Sequence, residues 1–208
     1  LSKYFMRTAE SDLKDIKELM ERSSRFISLS GLSGVFAGVY ALIGAAIAYL
    51  HFMPETREYS SPDYTGSLDK LPEMVVIASS VLILSIITAI FFSTRNAKRK
   101  SQKTWDKRSQ QMLWNLAIPL IAGGIFLLIL LLQGTLYLIA PAMLIFYGLA
   151  LINGSKYTLN DIRYLGYCEI ALGLLATWFY GNGLLFWSIG FGVLHIVYGA
   201  AMYWKYER

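Results

Sequence analysis

Cysteine occurs once in the 208 residues, as Cys168, so a disulfide framework, a CxxC redox pair and a thiolate zinc site are excluded within one chain. No HExxH, no Walker A loop and no Asp-rich phosphotransferase motif is present, which removes the usual signatures of membrane enzymes. No metal site and no cofactor is therefore expected. Charge is scarce as well, at 16% of residues against 55% hydrophobic, too apolar a balance for an ordinary soluble domain. It is also segregated. Phe26–Pro54, Met74–Thr94, Ser109–Ser155 and Tyr164–Trp204 together contain one carboxylate and no Lys or Arg.

Uncharged runs of this length predict transmembrane helices, because about 20 residues at ~1.5 Å rise cross a hydrocarbon core of about 30 Å. The two longest runs each cross twice, folding back at Gln133-Gly134-Thr135 and Gly181-Asn182-Gly183. Six spans follow, over 28–50, 74–94, 113–132, 135–153, 160–180 and 184–203. An open sheet leaves its backbone unsatisfied in lipid, so the expected fold is an all-α, polytopic six-helix bundle. It divides into a cytoplasmic amphipathic helix, 1–27, and a transmembrane domain, 28–208.

Basic residues set the orientation. Of the 19 Lys and Arg, 17 lie before the first span, in the loop after the second, in the loop after the fourth or in the tail. Only Arg57 and Lys70 lie on the opposite side. The positive-inside rule then places both termini in the cytoplasm of an inner-membrane protein, in agreement with an even span count. The net charge of +5 follows from the same bias and does not point to nucleic acid. Arg95, Lys98, Arg99, Lys100, Lys103, Lys107 and Arg108 form the densest basic run and are placed to hold anionic inner-leaflet head groups.

Residues 8–25 put Leu13, Ile16, Leu19 and Met20 at helical spacing with acids toward the start, an amphipathic helix. In the first span Ser30, Gly34 and Gly38 recur every four residues, a small-residue stripe that marks a helix seam, within the chain or between two copies. Thr158-Leu159-Asn160-Asp161 reads as a capping-box-like start to the fifth span. Sliding the chain by 49 aligns Gly124 with Gly173 and Gly134 with Gly183, so 113–157 and 162–206 read as tandem hairpin repeats.

Ionisable chemistry in the spans reduces to two residues, Glu169 and His195. Each stands 13 positions from Asn182 at the last turn, so they share a depth about 20 Å from that turn. Such groups are costly in lipid and face the protein interior or a wet cavity. Three readings stand open: a proton- or cation-handling site, a polar pair that glues two helices, or two residues that make no contact. A carrier needs a wet cavity reaching the pair, whereas a scaffold is filled there.

Gly31-Leu32-Ser33-Gly34-Val35 resembles the GxSG motif of rhomboid intramembrane proteases, and His195 with Gly199 resembles the histidine and glycine of their last core span. The resemblance implies a Ser33–His195 dyad, with histidine as general base. The serine here lies in the first span rather than two spans before the histidine. As a whole, and above all over NGSKYTLNDIRYLGYCEIALGLL and GFGVLHIVYGAAMYWKYE, the chain resembles small six-span membrane proteins of Bacteroidetes-type bacteria. That resemblance implies a fold and an inner-membrane location but no activity. The leading expectation is a non-enzymatic interaction or regulatory subunit, as a homo-oligomer or part of a larger membrane complex. The alternatives are a small-solute or proton-coupled carrier built on Glu169 and His195 and, more remotely, the protease.

Overall fold

The structure, a computed structural model, describes residues 30–52, 71–99, 107–179 and 181–208. The expected amphipathic helix, most of the first loop, and Lys100 and Lys103 lie outside them. The described residues are helical throughout, joined by short turns: α1 Gly31–Phe52, α2 Leu71–Arg99, α3 Lys107–Leu132, α4 Ile139–Gly154 and α5 Ile162–Trp178. The last arm, Gly183–Tyr206, is composite: α6 Gly183–Trp187, a π-helix over Ser188–Leu194, and α7 His195–Tyr206. Short 3-10 turns flank α4 at Leu136–Leu138 and Ser155–Tyr157.

Five apolar stretches, including the last arm, are long enough to cross a membrane. The sixth, α5, has 17 residues, at the lower end of the roughly 17–25 that suffice. The outside of the bundle fits lipid. On α2, Val76, Ile83, Ile90 and Phe91 are each more than half exposed, a face no water-soluble helix sustains without a partner. Two helices outrun their expected spans because polar residues continue them: α2 runs on through Arg95, Lys98 and Arg99, and α3 starts back at Lys107.

Neighbouring helices alternate in direction. Gly44 of α1 faces Val81 of α2, while Phe36 stacks on Phe92. Gly123 of α3 faces Phe146 of α4, and Gly173 of α5 faces Pro141 of α4. Ser30, Arg99, Lys107, Asp161 and Arg208 thus share one side of the bundle, here the terminal side. The turns at Gly134 (φ 73°) and Gly181 (φ 91°) share the other, the turn side; both glycines take the left-handed backbone a side chain resists. α3 carries Pro119 in its interior, which removes the hydrogen bond to the carbonyl of Asn115. Asn153 of α4 repairs this, donating its Nδ2 to Asn115 O at 2.7 Å.

Two three-helix units make up the bundle: α1 packs between α2 and the last arm, and α4 packs between α3 and α5. Each is organised by one close helix crossing, and the two crossings share a register. A Cβ on Gly38 would lie 2.6 Å from Gly192 O, 2.6 Å from Ile196 Cγ1 and 3.0 Å from Ile196 N. A Cβ on Gly148 would lie 2.6 Å from Gly166 O, 2.7 Å from Ile170 Cγ1 and 3.0 Å from Ile170 N. One turn on, Gly192 meets Leu42 where Gly166 meets Ile152; beyond, Gly199 meets Val35 and Gly31 where Gly173 meets Ile145 and Pro141. Backbones this close are the usual means of helix association where lipid supplies no hydrophobic drive.

The matching elements run in opposite directions, α1 against α4 and the last arm against α5. That is the arrangement of inverted-topology units, in packing rather than in chain order, since α3 precedes α4 whereas α2 follows α1. Nothing lies within 4 Å of a Cβ built on Gly124, whereas its aligned partner Gly173 is tightly packed.

Candidate functional site

The two matched crossings place one pattern, Gly-x-x-x-Ile-x-x-Gly, on the last arm (Gly192–Gly199) and on α5 (Gly166–Gly173). The residue before the isoleucine is His195 in one and Glu169 in the other. Both are buried, and they meet between the units, His195 Nδ1 lying 3.5 Å from Glu169 Oε1.

Histidine is the well-held member of the pair. Its Nδ1 lies 2.9 Å from Gly190 O and its Nε2 2.8 Å from the Tyr147 hydroxyl. A carbonyl can only accept, so Nδ1 carries a hydrogen; in the neutral ring, Nε2 then accepts from Tyr147. The backbone N–H of His195 goes to Gly192 O, and Gly190 O receives the imidazole. Turns as wide as those of the π-helix occur mostly as single-turn insertions at functional sites.

Among the described residues Glu169 has no such hydrogen-bonded anchor. It is fully buried, and neither carboxyl oxygen has a hydrogen-bond partner among the described residues. The 3.5 Å to His195 is too long for a hydrogen bond. Its carboxyl fills the space beside Gly190, where a Cβ would lie 2.5 Å from Oε2 and equally close to Leu144. Glue between helices works by satisfied hydrogen bonds, and this carboxyl makes none.

Toward the turn side the pair is covered by aromatic rings. Phe191 lies 5.8 Å from His195 and 5.0 Å from Tyr147, ring centre to ring centre, and Trp187 lies 5.3 Å from Phe191. Beyond them opens a cavity of about 270 Å³, walled by α1 and α2 from one unit and by α4 with its leading turn from the other. A shallower hollow between α1 and α2 is bordered by His51 and Glu73. Neither is lined by Glu169 or His195.

The terminal side is latched by the last residues of the chain. Glu207 receives Ser30 Oγ at 2.9 Å and also the backbone N–H of Gly31, capping the start of α1 with a negative charge. Lys205 Nζ and Tyr206 Oη donate to Asp161 Oδ2 at 2.7 and 2.8 Å, tying the last arm to the start of α5. Asp161 occupies the N-cap position of α5 without capping it, its carboxylate being given to Lys205 and Tyr206 instead. Partial burial pushes the Asp161 carboxyl up, but the Lys205 and Tyr206 hydrogen bonds and the Lys205 charge outweigh it and hold it below the usual range. A lowered carboxylate stabilises the fold above the ordinary Asp value, about 3.9, and loses that contribution as pH falls through its own lower value. Asp161→Asn is therefore expected to lower the thermal midpoint in micelles at about pH 7, with the gap to wild type closing toward about pH 3.

The other candidates from the sequence are placed as follows. The stripe on α1 is occupied within the chain: Gly34 faces Gly199, Gly38 faces Gly192, and Gly31 completes the crossing, while Ser30 binds Glu207. Ser33 Oγ donates to Ser30 O at 2.5 Å, and both ring nitrogens of His195 are engaged elsewhere. Arg95, Lys98 and Arg99 sit at the end of α2, and Lys107 and Arg108 at the start of α3, all on the terminal side. Tyr147, Gly190 and Phe191 belong to the centre but escaped the sequence reading; the repeated Gly-x-x-x-Ile-x-x-Gly pattern was the signal for its geometry. Compared with known proteins, the chain matches no family model, no curated protein and no solved structure.

Proposed function

We propose that the protein is an inner-membrane carrier of six spans, both termini cytoplasmic, which moves protons coupled to a small solute through Glu169 and His195. The observation that carries this reading is the Glu169 carboxyl, fully buried and without a hydrogen-bond donor, beside an imidazole fixed by Gly190 and Tyr147. A group so costly to bury is retained where its proton is used. The inverted crossings support it too, since carriers place their sites between inverted units near the middle of the bilayer. Aromatic rings over the pair on one side and the Asp161 latch on the other correspond to a closed state. The basic residues at the ends of α2 and α3 hold anionic head groups on the cytoplasmic face.

The test is proton flux into proteoliposomes carrying an entrapped pH dye, driven by a potassium diffusion potential. Glu169→Gln is expected to lower the flux at least about tenfold, the scale of a removed proton carrier. Equal flux in wild type and variant sinks the proposal.

A non-enzymatic interaction subunit is the second reading, favoured by α2, whose apolar length is nowhere buried except at Asn96 and Ala97. The small-residue stripe no longer supports it, being used inside the chain. Native mass measurement of the protein extracted with its surrounding lipid decides. A homo-oligomer or a stoichiometric partner is expected under this reading, and a monomer ends it.

A further inference from the structure

We propose that the cavity on the turn side binds an uncharged, predominantly apolar solute, and that this is the solute coupled to the proton. The second half rests on the carrier reading; the binding itself does not.

Three observations carry the assignment. The cavity lies on the seam between the two units, with Gly44 and Ala48 of α1 and Val75 of α2 on one wall and Tyr137 and Met143 on the other. Among the described residues its lining contains no charged side chain, and only Tyr137 and Trp187 bring polar tips. At about 270 Å³ it exceeds by nearly twofold the roughly 150 Å³ apolar cavity that accepts benzene, so a substituted single ring or a short branched chain fits. An ion or a sugar would lose its hydration there without replacement.

Packed aromatic rings join the cavity to the buried pair. Trp187 lines it, Phe191 packs on Trp187, and Phe191 in turn packs on both His195 and Tyr147. A solute seated against Trp187 therefore presses on the rings packed against His195. Binding and access to the acid are joined through one column of aromatic side chains.

The test uses the full chain in liposomes with Trp187 as its sole tryptophan, Trp105, Trp114, Trp178 and Trp204 being replaced by phenylalanine. The probe is 4-bromotoluene, whose bromine quenches indole fluorescence on contact. Saturable quenching is expected, lost in Ala48→Phe, which fills the cavity, and weakened in Met143→Phe, each checked by circular dichroism for unchanged helix content. Quenching that rises linearly and equally in all three proteins is partition into lipid only and overturns the proposal. Quenching by lipids with brominated acyl chains that bromotoluene does not displace also overturns it, assigning the cavity to an acyl chain. In Glu169→Gln, saturable quenching is expected to persist while proton flux is lost. Binding without proton flux in either protein leaves the apolar site standing but removes the coupling and the carrier reading with it.

Discussion

Gly148→Val is expected to destabilise the protein by about 3 kcal/mol or more, the upper end for overpacking, and Gly38→Val by a similar amount. At both positions the first added carbon already falls 2.6 Å from a glycine carbonyl of the facing helix. That neighbour is backbone and cannot rotate aside. The two helices must therefore separate along the crossing, which opens gaps at every other contact in the register. Gly124→Val supplies the control. Nothing lies within 4 Å of its Cβ, so the change should stay within about 0.5 kcal/mol, as for a surface site. Thermal unfolding of the three variants in one detergent measures the contrast. Similar midpoints for Gly148→Val and Gly124→Val would remove the crossing as the organising contact.

Glu169→Met is expected to raise stability by about 1–3 kcal/mol while abolishing proton flux. The side chain keeps its length and loses a carboxyl that gives and receives no hydrogen bond among the described residues. No orphan is created by the change, because His195 keeps Gly190 O and Tyr147 as partners. A buried polar group whose removal costs nothing in folding is held for another reason, and stability and activity should part in opposite directions. If the variant instead unfolds more easily by over about 1 kcal/mol, the carboxyl is a structural fastener and the carrier reading loses its support.

The sequence made the apolar helices legible because lipid leaves a compositional mark: no Lys or Arg for the length of a crossing. It also placed Glu169 and His195 at one depth from their equal distance to Asn182, and the structure brings them within 3.5 Å. Their meeting was not legible, because the facing of two helices depends on rotation as well as depth. Rotation here is set by the π-helix over Ser188–Leu194, which alters the angular position of His195 and has no signature in an apolar run. Tyr147 was hidden for a similar reason, since a tyrosine in a span is common and becomes notable only beside the imidazole. The stripe on α1 was legible as a seam, but its partner was not, because small residues report close approach and not identity. Thr158 to Asp161 had the look of a capping box, but α5 starts at Ile162 with Asp161 in the N-cap position; a carboxylate within reach of a lysine and a tyrosine at once follows the stronger donors.

A helix with a surplus residue in one turn holds something that can be handed along it. If the surplus travels one step toward the carboxyl end, the segment it passes swivels by about 100°. His195 follows directly after Ser188–Leu194. A step of that kind would turn the ring away from Gly190 and Tyr147.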